Sequence, residues 1–138
     1  MRDPDFIIGE PDRPYLLRWW ILPKNKWFNV YIHLILRNDD DRALHDHPWS
    51  SLSVILSGSY REITKTSRRV HRPGGFILRH AEYAHRLEVV NGPVWTLFIT
   101  GPNIREWGFH CPKGWVHWQT FCATDDKGRI GAGCGEFS

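Results

Sequence analysis

Residues 44–49 read LHDHPW, and this stretch decides how the rest of the chain is interpreted. On an extended strand alternate side chains point to one face, which places His45 and His47 together, about 6.6 Å apart along the backbone. Two imidazoles at that separation can converge on one metal ion at about 2.1 Å from each nitrogen. Asp46 then points to the opposite face and is a poor direct ligand. The stretch predicts half of a metal site on a strand.

A third histidine, His85, begins another segment that alternates. It shares a face with Leu87 and Val89, so it is the polar member of an apolar, inward face. A buried neutral imidazole needs a hydrogen-bond partner or a metal. One inward histidine is more often a core residue, and His-x-His is common by chance in a chain with 8 histidines. The pair and the inward third histidine together are much less ordinary, and they predict one site built from His45, His47 and His85.

Glycine and proline divide the chain into short apolar segments, which is typical of a sandwich or barrel. We expect strands over residues 26–37, 52–57, 76–79, 85–90, 94–100 and 115–121. The segment 26–37 is apolar on both faces, so we expect it inside a sandwich or at a subunit contact, and we predict a homodimer. At most one short helix is expected, over residues 15–22.

Length and composition describe one ordinary domain, with 138 residues, 41% of them hydrophobic and 24% charged. We expect a single domain over residues 1–138, with a barrel core at about 26–121 and a loose, Gly-rich tail at about 125–138. The net charge of +3 is too small to indicate a nucleic-acid partner. No apolar run approaches the roughly 18 residues of a membrane span, and the N-terminus lacks an apolar signal core. The sequence favours a cytoplasmic protein without a membrane or nucleic-acid partner.

The last third of the chain is rich in cysteine, tryptophan and histidine. An odd number of cysteines (Cys111, Cys122 and Cys134) without a secretion signal argues against a disulfide framework, so we expect buried thiols. A structural zinc that combines them with nearby histidines stays an alternative, although the spacings fit no standard site. The aromatic residues over 107–118 predict either a cap over one barrel end or a lid that dries the pocket.

The histidines and glycines resemble the two motifs of the cupin superfamily. The first motif has a Gly, five residues, His-x-His, three or four residues, a Glu, six residues and a Gly. The second has a Gly, five residues, Pro-x-Gly, two residues, a His, three residues and an Asn. His45, His47 and Gly58 are in register with the first motif, and Gly74 and His85 with the second. The resemblance covers about residues 28–100 and implies an all-β fold, the double-stranded β-helix of jelly-roll barrels, with one divalent metal ion.

The departures from these motifs change the expected ligand set. The Glu of the first motif falls on Ser51, and its first Gly falls on Asp39. The Pro, Gly and Asn of the second motif fall on His80, Glu82 and Val89. The expected site therefore has three histidines and no carboxylate. Three-histidine cupin sites are similar to those of thiol dioxygenases, which implies Fe²⁺, with Zn²⁺, Ni²⁺ or Mn²⁺ as alternatives. The chain as a whole also resembles small cupin-like proteins encoded in bacterial and phage genomes.

Three residues are candidates for catalysis. Tyr60 and Glu62 share one face of the strand that follows the metal strand, where they can orient a substrate or act as acid and base. A solvated hairpin with one exposed aromatic ring is an equal alternative. Arg79 precedes His85 and can grip a substrate carboxylate in bidentate fashion, although charges near turns are usually solvated.

Four further residues are expected around the pocket without a catalytic role. Ser51 occupies the position of the motif carboxylate, and His80 and Glu82 can form the rim. His33 shares a strand face with Tyr31 and is either a fourth ligand or a core residue. We favour a core or supporting position for it.

The three-histidine centre predicts a metal-dependent enzyme that acts on a small polar molecule. Three neutral imidazoles leave two or three positions on an octahedral Fe²⁺, so oxygenase-like chemistry is the first hypothesis. Zinc instead favours Lewis-acid isomerisation or hydrolysis. A non-catalytic barrel that binds a sugar or another small ligand and a structural assembly protein are the alternatives.

Overall fold

The computed structural model describes residues 2–10, 12–38, 43–123, 126–130 and Cys134, and its regular structure is almost entirely β. Within these residues the elements are, in chain order, β1 Phe6–Glu10, β2 Arg13–Trp20, β3 Asn29–Ile35, β4 Leu44–His45, β5 Ser51–Ile63, β6 Arg68–His71, β7 Phe76–Arg79, β8 Arg86–Thr100, β9 Gly108–Cys111, β10 Gly114–His117, α1 Trp118–Phe121, β11 Cys122–Ala123 and β12 Asp126–Ile130.

The strands pair antiparallel in one large sheet and two small ones. The large sheet has the order β1-β2-β3-β8-β5-β6, and β7 adds to a second part of β5. The small sheets are β10-β9-β4 and β11-β12. The large sheet curls so that the inner sides of β2, β3, β5, β7 and β8 line one cavity.

Strand β3 shows how the sequence selects the inner face. Its burial alternates strictly, with Asn29, Tyr31, His33 and Ile35 buried and the residues between them partly exposed. All four buried residues line the cavity. The alternation that the sequence predicts over 26–37 is therefore present, and the polar-aromatic face is the inner one.

Strand β5 changes its inward face halfway along. Before Gly58 the odd-numbered Ser51 and Ser53 line the cavity, whereas after it the even-numbered Tyr60 lines it; residues of both parities are buried after Gly58. Register shifts relative to β8 between residues 55 and 60 cause this change. Gly58 has a φ of +78°, and a Cβ there would lie 2.5 Å from the carbonyl oxygen of Pro93, so only glycine fits the bulge.

Two clusters of buried apolar side chains hold the fold together. The inner cluster of the large sheet consists of Leu16, Ile35, Ile55, Tyr60 and Val94. The second cluster, beside the small sheet of β4, consists of Ala43, Phe109, Phe121 and Cys122. Full burial of one such side chain contributes about 1.5–3 kcal/mol.

The outer face of the large sheet is apolar across all its long strands. Residues that are cross-strand neighbours form three apolar rows on this face. The first row is Leu78, Leu52, Ile99 and Val30, and the second is Phe76, Val54, Leu97, Ile32 and Trp19. The third row is Trp95, Leu34, Leu17 and Ile7. Neither buried cluster contains any of these residues.

Several expected elements differ from the structure. The helix expected over 15–22 is wrong, because Arg13–Trp20 is a strand that pairs with β1 on one side and β3 on the other. The segments 85–90 and 94–100 form one strand, β8, which passes Gly92 and Pro93 opposite the bulges of β5. The expected strand over 115–121 ends at His117 and continues as a helical turn.

The C-terminal part of the chain is more ordered than the sequence suggests. Asp126–Ile130, within the segment expected to be a loose tail, pairs as β12 with β11. Cys111 and Cys134 form a disulfide with their Cα atoms 5.6 Å apart, so the expectation of buried thiols is wrong for these two. The fold brings together cysteines that are 23 residues apart. Cys122 lies in the second buried cluster as expected.

No helix within the described ranges is long and apolar enough to cross a membrane.

Candidate metal centre

The side chains of His45, His47 and His85 meet at one end of the cavity. Their ring centroids form a nearly regular triangle, 5.0 Å from His45 to His47, 4.9 Å from His45 to His85 and 5.0 Å from His47 to His85. One potential ligand atom from each lies within 4.8 Å of the others, and no other such group occurs among the described residues. The structure thus brings together the three histidines that the sequence singles out.

Backbone pairing holds this triangle in place. His45 and His85 exchange two backbone hydrogen bonds of 3.0 Å each, so the short strand β4 is fixed against the start of β8. The amide of His47 donates to the carbonyl oxygen of Ala81 at 2.9 Å. The three imidazoles are therefore carried by main chain that is itself hydrogen-bonded.

The triangle fits a single ion. Nitrogens about 2.1 Å from one ion would place the ring centroids about 4.6 Å apart at octahedral angles and about 5.3 Å apart at tetrahedral angles. The observed separations of 4.9–5.0 Å lie between these values. Three imidazoles are also a ligand set that suits zinc, iron, nickel and copper.

Asp46 points away from the triangle, as the strand alternation predicts. Its buried carboxylate accepts hydrogen bonds from the amide of Gly108 at 2.8 Å, from His110 at 3.0 Å and from the indole of Trp115 at 3.0 Å. Arg105 lies 2.9 Å away as an ion-pair partner. Burial alone would raise the pKa of Asp46, but these donors lower it below its ordinary value. The carboxylate ties the His-x-His stretch to β9 and β10.

Glu62 supports His85 from behind. Its Oε2 atom lies 2.5 Å from Nδ1 of His85 and 2.5 Å from Nε of Arg79. Since a carboxylate accepts, Nδ1 of His85 carries the proton and Nε2 is left for a metal. Burial would raise the pKa of Glu62, but the hydrogen bond from His85 and the charge of Arg79 lower it to about 2.

Arg79 and Tyr60 complete this buried network. The Arg79 guanidinium donates to Glu62, to Oγ of Ser53 at 2.8 Å and to the hydroxyl of Tyr60 at 3.0 Å. Its side chain is only 3% exposed. The sequence predicts that Arg79 binds a substrate carboxylate. In the structure each of its three guanidinium nitrogens instead donates a hydrogen bond to a protein group. Burial raises the pKa of Tyr60, which keeps the hydroxyl protonated.

His47 and His85 favour the neutral imidazole. Burial and the charges of nearby histidines and arginines hold the pKa of His47 well below 6.5. Burial also lowers the pKa of His85 to about 4, against the opposing effect of Glu62. Neutral imidazole is the form that binds a metal.

A cavity of about 930 Å³ opens over the three histidines. Of the expected pocket and catalytic residues, Tyr60, Arg79, Ser51 and His33 line it. Glu62 does not line it and reaches it only through His85 and Arg79.

Two expected rim residues lie elsewhere. His80 and Glu82 are exposed and do not line the cavity. They occupy the turn between β7 and β8, where the chain leaves the inner face after Arg79. The structure places neither residue at the wall of this cavity, and a role for them at the site stays a prediction.

Sequence reasoning missed other residues of the cavity and its network. Arg18 lies on β2 and lines the cavity. The sequence did not reveal which face of the strand Arg18 occupies, because the segment was expected to be a helix. Trp49 stacks on His47 with ring centroids 4.8 Å apart, and its position two residues after His47 was an available signal. Nε2 of His71 lies 3.3 Å from Oε1 of Glu62, a contact that follows only from the pairing of β5 with β6.

Comparison with solved structures identifies the architecture. No known protein-family model matches the chain, and no curated protein sequence is significantly similar to it. A cupin superfamily protein from Desulfitobacterium hafniense DCB-2 superposes with a TM-score of 0.54 and 14% identity, over 70% of this chain and 84% of that one. The cupin_2 domain of an XRE family transcriptional regulator from Enterobacter cloacae superposes with a TM-score of 0.51 and 14% identity, over 63% of this chain and 96% of that domain. The chain has the cupin fold.

A third similar structure is that of an enzyme. The DMSP lyase DddQ from Ruegeria pomeroyi DSS-3 superposes on the cupin fold of this chain with a TM-score of 0.59 and 13% identity. The match covers 83% of this chain and 61% of DddQ, so this chain spans less than two thirds of that protein. At these identities the likeness shows the cupin fold alone.

Proposed function

We propose that this cupin is a metal-dependent enzyme that acts on a small polar molecule at the centre formed by His45, His47 and His85, with Fe²⁺ as the ion. The observation that carries the proposal is the pairing of Glu62 with Nδ1 of His85, which leaves Nε2 as the ligand atom of His85 in a group of three histidines that all line the cavity. This arrangement orients a metal ligand and raises its basicity.

His45, His47 and His85 all line the cavity, so an ion held by them would be accessible to a small molecule in it. When bound, the ion would supply open positions for oxygenase-like chemistry on a small molecule. Two neighbouring residues support the centre. Arg79 forms an ion pair with Glu62, and Tyr60 places a protonated hydroxyl next to Arg79 at the cavity wall. Trp49 and Phe98 contribute apolar rings to that wall, 5.4 Å apart between their centroids.

A non-catalytic ligand-binding domain is the second candidate. The aromatic wall supports it, because Tyr31, Trp49 and Phe98 suit stacking of a flat or cyclic ligand. The cupin_2 domain of the Enterobacter cloacae regulator shows that the fold also occurs in a transcriptional regulator.

An oxygen-uptake experiment separates the two candidates. The full chain is loaded anaerobically with Fe²⁺ or with Zn²⁺ and mixed with a panel of small thiols, carboxylates and sugars in aerated buffer. The enzyme proposal expects substrate-dependent oxygen consumption with Fe²⁺ that is absent with Zn²⁺ and in the His85→Ala variant. Saturable binding of a panel member without any consumption would favour the binding domain instead.

A further inference from the structure

Arg18 holds an uncompensated positive charge at the cavity wall. Among the described residues it has one hydrogen bond, from Nε to Nε2 of His33 at 2.9 Å, and its guanidinium lies 4.3 Å from the ring centroid of Tyr31. Burial and the charge of Arg18 hold the pKa of His33 well below 6.5, so this partner is neutral. No described carboxylate pairs with Arg18.

The other two arginines of the cavity are already neutralised by protein. Arg79 pairs with Glu62, and Arg105 pairs with Asp46. Glu106 is the one acidic residue among the described cavity-lining residues, and its side chain is 74% exposed and pairs with His117. A partly buried guanidinium without a counter-charge is unfavourable, and an anion bound in the cavity would offset this cost.

An aromatic wall connects Arg18 to the three histidines. His33, the partner of Arg18, contacts Phe98 at 4.8 Å between ring centroids, and Phe98 contacts Trp49 at 5.4 Å. Trp49 in turn stacks on His47. A ligand that lies along this wall meets a cation at one end, apolar rings in the middle and the metal ligands at the other end.

We propose that Arg18 binds the carboxylate of a small ligand whose reacting group lies at the three-histidine centre. The guanidinium offers paired donors to a carboxylate, and it lies over the Tyr31 ring at 4.3 Å from the ring centroid. The inference rests on the proposed function only in that the cavity is the ligand site. It names the substrate class as small organic anions with an apolar stretch between the carboxylate and the reacting group.

Calorimetric binding of succinate to the Zn²⁺-loaded full chain tests this role. Succinate is expected to bind the parent, its neutral diamide succinamide to bind much more weakly, and Arg18→Gln to weaken succinate binding by about tenfold or more. Arg18→Lys is expected to retain part of the affinity, because lysine keeps the positive charge but lacks the paired donors of the guanidinium. Arg13→Gln, an exposed position on the same strand, is the matched control and is expected to bind like the parent.

Two results would overturn the role of Arg18. One is equal affinity of the parent and Arg18→Gln for succinate, and the other is equal affinity of the parent for succinate and succinamide. Zinc content is measured on every sample. A parent that holds zinc but fails to bind succinate rejects this inference and leaves the metal centre standing, whereas loss of zinc from the parent rejects the proposed function itself.

A second, independent observation concerns the outer face of the large sheet. Its central row runs Phe76, Val54, Leu97 and Ile32 across four strands without a polar residue. Phe76 is 74% exposed and Leu78, in the adjacent row, is 78% exposed. Contiguous apolar patches beyond a few hundred Å² are rare on monomers.

The outer face is large enough to contribute to a dimer interface. Its thirteen outward residues lie on six strands about 4.8 Å apart and are spaced about 6.7 Å along each strand, which gives a footprint of roughly 400 Å². Protruding side chains raise the accessible area above that value, toward the ~800 Å² per partner of a stable complex. Because the residues of this face are uncharged and apolar, a second identical face can pack against it, and two sheet faces stack at about 10 Å.

We infer that two copies of this chain dimerise through the outer face. Sedimentation analysis of the parent at micromolar concentration is expected to give a dimer, and Phe76→Lys and Leu78→Lys are expected to give folded monomers. Ile104→Lys removes an equally exposed apolar residue outside the face and is expected to leave the dimer intact. A monomeric parent, or a dimer that survives both face substitutions, would overturn the inference.

Discussion

Nδ1 of His85 lies 2.5 Å from Oε2 of Glu62, and the same oxygen lies 2.5 Å from Nε of Arg79. A candidate metal ligand is thus joined to a buried ion pair whose side chains are 3–4% exposed. Ser51 occupies the position at which the cupin motif would place a carboxylate ligand. A different carboxylate, that of Glu62, accepts a hydrogen bond from the candidate ligand His85.

Replacing Glu62 with Gln is expected to weaken metal binding by about 10–100-fold, because His85 loses the acceptor that fixes its tautomer and orientation. Affinity is measured by competition with a chelator of known strength. Glu88→Gln is the control, since Glu88 makes only partly exposed ion pairs with Arg61 and Arg86. Equal loss of affinity in both variants would contradict the role given to Glu62.

Replacing Gly58 with Ala is expected to destabilise the protein by about 2 kcal/mol or more, because the Cβ meets backbone oxygen at a positive φ. Gly74 also has a positive φ, of +89°, but nothing lies within 4 Å of the added Cβ, so Gly74→Ala is expected to cost about 1 kcal/mol. Urea unfolding of both variants checks the difference. An equal cost would show that crowding at the bulge is unimportant.

Replacing Asp46 with Asn is expected to destabilise the protein by about 2 kcal/mol, because a buried acceptor of several donors loses its charge. Thermal and urea unfolding give the size of the effect. Glu106→Gln removes an exposed partner of His117 and is expected to leave stability unchanged. A stable Asp46→Asn protein would mean that β9 and β10 do not depend on this carboxylate.

Acid is expected to destabilise the metal-free protein, in part through His33. In the folded chain the pKa of His33 is well below its ordinary value of 6.5. At pH values between the folded pKa and 6.5, the unfolded chain therefore binds a proton at His33 more readily than the folded chain does. The stability that His33 contributes is present above pH 6.5 and is lost as the pH falls toward the folded pKa. Urea midpoints of chelated protein from pH 7.5 downward should decline less steeply in His33→Gln than in the parent, and parallel declines would contradict this.

Part of the site can be predicted from the sequence because it depends on local geometry. Strand alternation alone places His45 and His47 together and turns Asp46 away, and the apolar face shared with Leu87 turns His85 inward. The resemblance of these histidines and of Gly58 and Gly74 to the cupin motifs implies the cupin fold, and the solved cupin structures bear it out.

The rest of the site depends on features that local patterns do not show. The parity of β5 is reversed by bulges, so the contact of Glu62 with His85 rather than with substrate appears only in the folded sheet. The role of Arg18 was missed because the apolar residues of its segment also fit one face of a helix. The segment is a strand because it pairs with β1 on one edge and with β3 on the other. His80 was drawn into the pocket by motif spacing, although the turn that carries it leads outward.

Elemental analysis of the purified protein tests the central claim most directly. The parent and His117→Ala, which alters a histidine outside the centre, are predicted to hold one divalent ion per chain, and His45→Ala and His85→Ala are predicted to lose it. An ion-free parent after reconstitution, or unchanged metal content in His85→Ala, would contradict the three-histidine centre.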